Sequence, residues 1–153
     1  MVLFAKDVAE PTLLSLPPDT NALDAAKAMK EKRQGYVIVH SENKPVGIVT
    51  EWDYLSKIVA EGIDPAKVTL RELMSEGLIS VADSDGIEMV ARIMTERGVR
   101  RVLVLHDGKV IGVITSRTIL ARLEEYVDQV SVTIARLQAP PPRRTLRRVR
   151  RHP

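Results

Sequence analysis

Shifting the sequence against itself by 65 residues aligns Val8 to Leu55 with Leu73 to Leu120 without a gap, and eleven of the 48 pairs are identical. Unrelated pairing would give about three. The identities include Leu13 and Leu78, Met29 and Met94, Val37 and Val102, Lys44 and Lys109, Gly47 and Gly112, and Thr50 and Thr115. Most remaining pairs keep their polarity, so the chain is a two-fold duplication of a unit of about 60 residues. A unit that short is marginal alone, which makes packing of the copies against each other a condition of folding.

Each copy carries the same succession of patterns. A brief apolar stretch, Leu13 to Leu16 or Leu78 to Val81, suits a strand and is followed by turn residues (Pro17, Pro18, Asp19, Thr20; Asp83, Ser84, Asp85). Apolar residues then recur at helical spacing: Ala22, Ala25, Ala26, Met29 in the first copy and Ile87, Val90, Ala91, Met94 in the second. Asp85 with Glu88 three residues on predicts a capping box. Two β-branched runs follow in each copy, Tyr36 to His40 with Val46 to Thr50, and Arg101 to Leu105 with Val110 to Thr115, flanking turn sequences. Further helices are predicted from about Trp52 to Glu61 and from about Arg117 to Asp128 or beyond.

The expected fold is α+β: two tandem β-α-β-β-α repeats, packed sheet to sheet with pseudo-two-fold symmetry. The repeats span 1–61 and 70–128, joined by a linker at 62–69, with a helical extension at 129–138 and a Pro/Arg-rich tail at 139–153.

Composition narrows the function classes. Of 153 residues, 44% are apolar and 3% aromatic, so the core is aliphatic. Cysteine is absent, which excludes disulfides, thiolate metal sites and cysteine nucleophiles, and fits a reducing interior. No apolar run approaches the ~20 residues of a membrane span, and the expected location is cytoplasmic. The net charge of +3 averages two regions: the tail holds six Arg and no acid, leaving 17 basic against 20 acidic residues elsewhere. The high isoelectric point therefore belongs to the tail and implies nothing about the body. His40 and His106 lack metal-ligand spacing and read as turn histidines. No Walker loop, GxGxxG, HExxH or nucleophile elbow occurs, so neither a metal, a required cofactor nor an enzyme activity is expected.

One segment leaves two readings open. Gly47-Ile48-Val49-Thr50-Glu51-Trp52-Asp53 runs from a strand into a helix, placing a hydroxyl and a carboxylate side by side in the first turn. They serve as a helix cap, or as a ribose clamp beside free backbone N–H groups that hold phosphate.

Tandem β-α-β-β-α units ending in G-h-x-T-x-x-D, or a variant of it, resemble a cystathionine-beta-synthase-type (CBS) domain pair, the Bateman module, over roughly Ala5 to Asp128. The resemblance implies a stand-alone regulatory and energy-sensing module. In that family adenosine ligands (AMP, ADP, ATP, less often S-adenosylmethionine) sit between the repeats, and the module regulates an attached or partner protein. It further implies that Thr50 and Asp53 hold ribose and phosphate, with Gly35 and Tyr36 entering the strand beside them. The adenine wall would comprise Ile38 and Val49 and, from the other repeat, Leu78 and Ile79. In the second copy Thr115 is kept but Thr118 replaces the carboxylate, so that site is expected to be weak, empty or differently selective. Arg100 and Arg101 fall where the family places phosphate-binding basic residues; a surface ion pair is the alternative.

Apolar residues on the helices from Trp52 and Arg117 (Leu55, Ile58, Val59; Leu120, Leu123, Val127) point to a homodimer. The regulated partner is not legible. A second reading makes the chain a nucleic-acid-associated adaptor acting through Arg143 to Arg151, by phosphate contact rather than base stacking.

Overall fold

The structure, a computed structural model, describes residues 2–11 and 13–138. The Pro/Arg-rich tail predicted at 139–153 lies outside the described residues. The chain divides into two units after Leu120.

The first unit is built from the duplication. The first copy consists of β1 (Ser15–Leu16), α2 (Ala22–Lys32), β2 (Tyr36–Ser41), β3 (Lys44–Thr50) and α3 (Glu51–Asp53), which runs on into a π-helical segment, Tyr54–Val59; α1 (Ala5–Val8) precedes it. The second repeats the order with β4 (Ser80–Ala82), α5 (Ile87–Arg97), β5 (Arg101–His106), β6 (Lys109–Thr115) and the start of α6 (Ser116–Gln138), preceded by α4 (Leu70–Leu73). Each copy forms a three-stranded sheet, β1-β2-β3 or β4-β5-β6, whose first pair is parallel and second antiparallel.

Correspondence reaches the irregularities. Register shifts fall between Val39 and His40 and between Val104 and Leu105, 65 residues apart. Both hairpins turn through two residues of positive φ, Glu42 (49°) and Asn43 (61°), then Asp107 (47°) and Gly108 (75°). Such turns match the right-handed twist of the strands they join.

Helix placement departs from the predicted boundaries. Leu70 and Leu73 of α4 are buried in the first copy's core with Val37, Val39, Val49 and Ile58. Ala5 and Val8 of α1, their counterparts, are buried in the second copy's core with Val81, Val90, Val102 and Ile114. Backbone bonds tie the exchange down: Leu70 N–H donates to Thr20 O at 2.9 Å, and Ala5 N–H to Asp85 O at 2.8 Å. Residue 62–69 is thus not a bare linker, because Ala22 N–H donates to Val68 O at 2.7 Å. Each exchanged segment also lies along a third strand through the bridges Ile48 with Ser75 and Glu10 with Val113. This is why glycine stands at 47 and 112: a Cβ on Gly47 would meet Met74 Sδ at 2.5 Å, and one on Gly112 the carbonyl oxygen of Glu10 at 2.8 Å.

The predicted capping box is corrected. Gly86 is the N-cap of α5, and Asp85 Oδ2 accepts from Ala82 N–H at 2.8 Å instead. Its short carboxylate closes the turn behind it, as Asx side chains do. The helical stripes hold at Ala22, Ala25 and Met29 and at Val90 and Met94, while Ala91 is exposed.

The sheets meet face to face through Tyr36, Ile38, Leu103 and Val113. Burial of such side chains contributes ~1.5–3 kcal/mol each, and neither copy could supply it alone. In the second unit, Leu123, Tyr126, Val127, Val130, Ile134 and Leu137 of α6 are exposed. No helix among the described residues is long and apolar enough to cross a membrane.

Candidate functional site

Strand β3 delivers Thr50 in extended conformation to the start of α3, and the helical turn brings Asp53 back over it. Asp53 Oδ2 accepts from Thr50 N–H at 2.8 Å and from Thr50 Oγ1 at 3.3 Å. Its Oδ1 pairs with Lys57 Nζ at 2.8 Å, one turn on. Asp53 is 6% exposed, the one charged residue among the described residues that are buried. Helix capping is therefore realised. It does not use up the group, since two carboxylate oxygens offer about four acceptor positions. Lys57 also donates to Leu73 O at 3.0 Å, connecting Asp53 to α4. Beside it, Tyr54 donates its hydroxyl to Ala22 O at 2.6 Å. Burial, and secondarily the Asp53 charge, pushes the Tyr54 phenol up to about 12.

At the equivalent turn Thr118 occupies the place of Asp53. Its Oγ1 accepts from Thr115 N–H at 2.9 Å and donates to Thr115 O at the same distance. The hydroxyl's single proton is thereby committed. Entry to each turn is also alike, Glu51 N–H donating to Gly35 O at 3.1 Å and Ser116 N–H to Arg100 O at 3.0 Å.

Between the sheets lies a cavity of about 150 Å³, lined by Ile48 from β3, Gly77, Leu78 and Ile79 ahead of β4, and Arg101 and Val113 from the second sheet. Leu78, Ile79 and Arg101 of the predicted set are brought together here. Val49 is not: it is fully buried on the opposite face of β3, in the core under α2, and Ile48 takes the cleft-facing position. Alternation along a strand decides this, because residues 48 and 49 point to opposite faces. Ile38 lies in the inter-sheet core rather than in the cavity wall. Arg100 is exposed and does not line the cavity, again by alternation with Arg101. Thr50, Asp53, Thr115 and Thr118 flank the strand ends without lining it. Sequence reasoning missed Ile48, Gly77, Val99 and Val113; period-two alternation was the available signal for Ile48 and Val113.

Arg101 sets the electrostatics. Its guanidinium lies over the ring of Tyr36, 5.1 Å from the centroid, so residues equivalent in the two repeats stack on each other. Arg101 Nε is buried without a hydrogen-bond partner. Burial and then the nearby Glu10 charge raise the Tyr36 phenol, with the Gln34 side chain and, less strongly, Arg101 opposing them. The slot is otherwise apolar, with Arg101 on one wall and the exposed Glu76 also lining it, which suits a flat heterocycle whose anionic group lies on the Arg101 side. His40 and His106 are engaged elsewhere, by Ser15 Oγ and by Asp83 Oδ2.

The CBS domain family model matches this chain twice, over residues 5–60 and 70–125. An uncharacterised protein of Methanopyrus kandleri is 33% identical over 123 residues, covering 79% of this chain; the match spans 62% of that protein, about three fifths of its length. The hexameric CBS-CP12 protein from bloom-forming cyanobacteria is similar at 34% identity with a TM-score of 0.73, over 78% of this chain and 67% of that one. The fold is shared by a CBS domain pair solved with 5′-methylthioadenosine and S-adenosyl-L-methionine, at 24% identity, a TM-score of 0.72, and 82% and 99% coverage. The family model matches both copies of the duplicated unit and the fold is that of solved CBS proteins, so this chain belongs to the CBS domain family, carrying two tandem copies.

Proposed function

We propose that this chain is a regulatory module that binds an adenine nucleotide (AMP, ADP or ATP) between its repeats and signals occupancy to a partner, without chemistry of its own. The observation that carries the reading is the apolar slot of Ile48, Leu78 and Ile79 closed by Arg101, whose buried Nε lacks a partner. In this reading the base enters the slot, the ribose hydroxyls donate to Asp53 beside Thr50, and phosphate meets Arg101. Family membership supports it, as does the adenosine chemistry of the ligands in the structurally similar pair.

A ligand shifts the protein only as far as its affinities for two arrangements differ. Asp53 is connected through Lys57 to the carbonyl of Leu73, so ribose binding would bear on the exchanged segment α4 as well as on its own helix. We read the assembled form as a homodimer, since Trp52, Leu55 and Val59 expose 69%, 51% and 68% of their surface along one helix. Ile58, predicted with them, is buried in the core and contributes nothing to that face.

The test is a melting experiment with each nucleotide. A ligand confined to the folded state adds about 2.7 kcal/mol at a hundredfold excess over Kd, and Asp53→Ala should remove most of that gain. Equal responses of wild type and variant to millimolar nucleotide would defeat the ribose assignment. The adaptor reading rests on the six tail arginines; a gel shift abolished by salt and by deletion of residues 139–153, with no response to nucleotide, would favour it instead.

A further inference from the structure

The 65-residue offset allows the clefts on the two sides of the inter-sheet core to be compared position by position. Leu78, Ile79, Val99 and Arg101 line the cavity described above. Their counterparts are Leu13, Leu14, Gln34 and Tyr36. On the first side Val99 is aliphatic and offers the backbone of Ile79 no polar group, and both Ile79 and Arg101 are only partly buried. On the second side the Gln34 amide folds back onto the chain, its Oε1 accepting from Leu14 N–H at 3.3 Å. Leu14 is 5% and Tyr36 4% exposed. Gln34 Nε2 and the Tyr36 hydroxyl are buried there without a hydrogen-bond partner of good geometry, and the Gln34 side chain interacts with the Tyr36 phenol.

A primary amide presents an acceptor and an N–H donor in one plane, and so does the edge of adenine, through N1 and the 6-amino group. Gln34 therefore meets the Leu14 backbone donor with the polarity that a base would bring. We infer that Gln34 is an internal occupant of the second cleft, so that each chain takes a single adenine nucleotide, on the side of Leu78, Ile79 and Arg101. The inference rests on the nucleotide-binding reading proposed above and adds which cleft is open and what closes the other. A buried, half-satisfied amide is costly to hold, which leaves the plug displaceable by substitution. Valine is the natural replacement, because Val99 shows that the fold accepts it at the equivalent position.

Thr118 weakens the second side independently, so the experiment is run with its carboxylate restored. AMP is titrated calorimetrically into the wild type, Thr118→Asp, Thr118→Asp with Gln34→Val, and Thr118→Asp with Gln34→Glu, each checked for native circular dichroism and melting. One AMP per chain is expected for all except the Gln34→Val combination, which should take two; glutamate keeps the acceptor and keeps the cleft closed. Hydrogen exchange gives a readout that does not depend on the second site forming: the Leu14 amide should exchange faster in Gln34→Val alone than in wild type. Two AMP on Thr118→Asp alone, one on the folded Gln34→Val combination, or unchanged Leu14 exchange would overturn the plug while leaving nucleotide binding intact. Absence of AMP from all four proteins would overturn the nucleotide reading itself, and the inference with it.

Discussion

The two strand-to-helix turns of this chain share a backbone and differ in charge. At one, Asp53 accepts from Thr50 and pairs with Lys57; at the other, Thr118 makes the same cap with a neutral hydroxyl. Both hold the start of a helix, so capping alone does not demand the carboxylate. A buried charge is costly unless paired and hydrogen-bonded. The first copy keeps the carboxylate at Asp53 where the second has Thr118, and has Gln34 where the second has Val99, two departures from symmetry between the copies. Duplication built two equivalent frames, and side chains at a few corresponding positions made them unequal.

The largest effect should come from breaking the exchange between copies. Leu70 is fully buried in the first copy's core although the predicted boundary assigned it to the second. Leu70→Ala should cost about 2–5 kcal/mol, read by denaturant unfolding, and hydrogen exchange should loosen in α2 and β2 of the first copy before α5 of the second. Loosening confined to the second copy would contradict the exchange.

A smaller effect sharpens the contrast between Tyr36 and Arg101. With Arg101→Ala, ADP and ATP should bind roughly tenfold more weakly, in line with loss of a charge-assisted hydrogen bond, while adenosine changes less. Equal losses for all three ligands in calorimetry would mean that Arg101 serves the Tyr36 stack and not the phosphate.

The smallest effect concerns a pair that the first copy lacks. His106 Nδ1 meets Asp83 Oδ2 at 2.8 Å, and the equivalents of these residues are Ser41 and Pro18. The hydrogen bond to Asp83 raises the imidazole above its ordinary value, and the same bond holds the Asp83 carboxyl below the usual range. The contribution of His106 is complete below its unfolded-state value and is lost as pH rises through the raised one. That of Asp83 is present above the ordinary carboxylate value and is lost as pH falls. Stability relative to His106→Ala should therefore peak in mildly acidic solution and vanish in alkaline solution. A difference independent of pH would remove the pair from the account.

Much of the fold was legible because the pattern was written twice. Apolar spacing in α2 and α5, the β-branched runs and the hairpin turns each had a second copy to support them, and the turn at Thr50 and Asp53 stood out by recurrence with Thr115. The cleft was less legible. Val49 was named where Ile48 lines the cavity, and Arg100 was named beside Arg101 although only Arg101 lines it, because a resemblance carried over along the chain does not track which face of a strand each residue occupies. Gln34 carried no signal: a glutamine after a helix reads as a solvated loop residue until its amide is found on the backbone of Leu14, twenty residues away.

The sequence by itself determined the duplication, the order of elements in each copy, and the chemical inequality between Asp53 and Thr118, since periodicity and residue identity are local properties. Only the tertiary structure decided that α1 completes the second core and α4 the first, that Arg101 lies on Tyr36, and that Gln34 reaches Leu14. Those outcomes depend on which surfaces bury the most apolar area when two marginal units close on each other, and contacts between segments as far apart in the chain as Glu10 and Val113 leave no mark in the spacing of either.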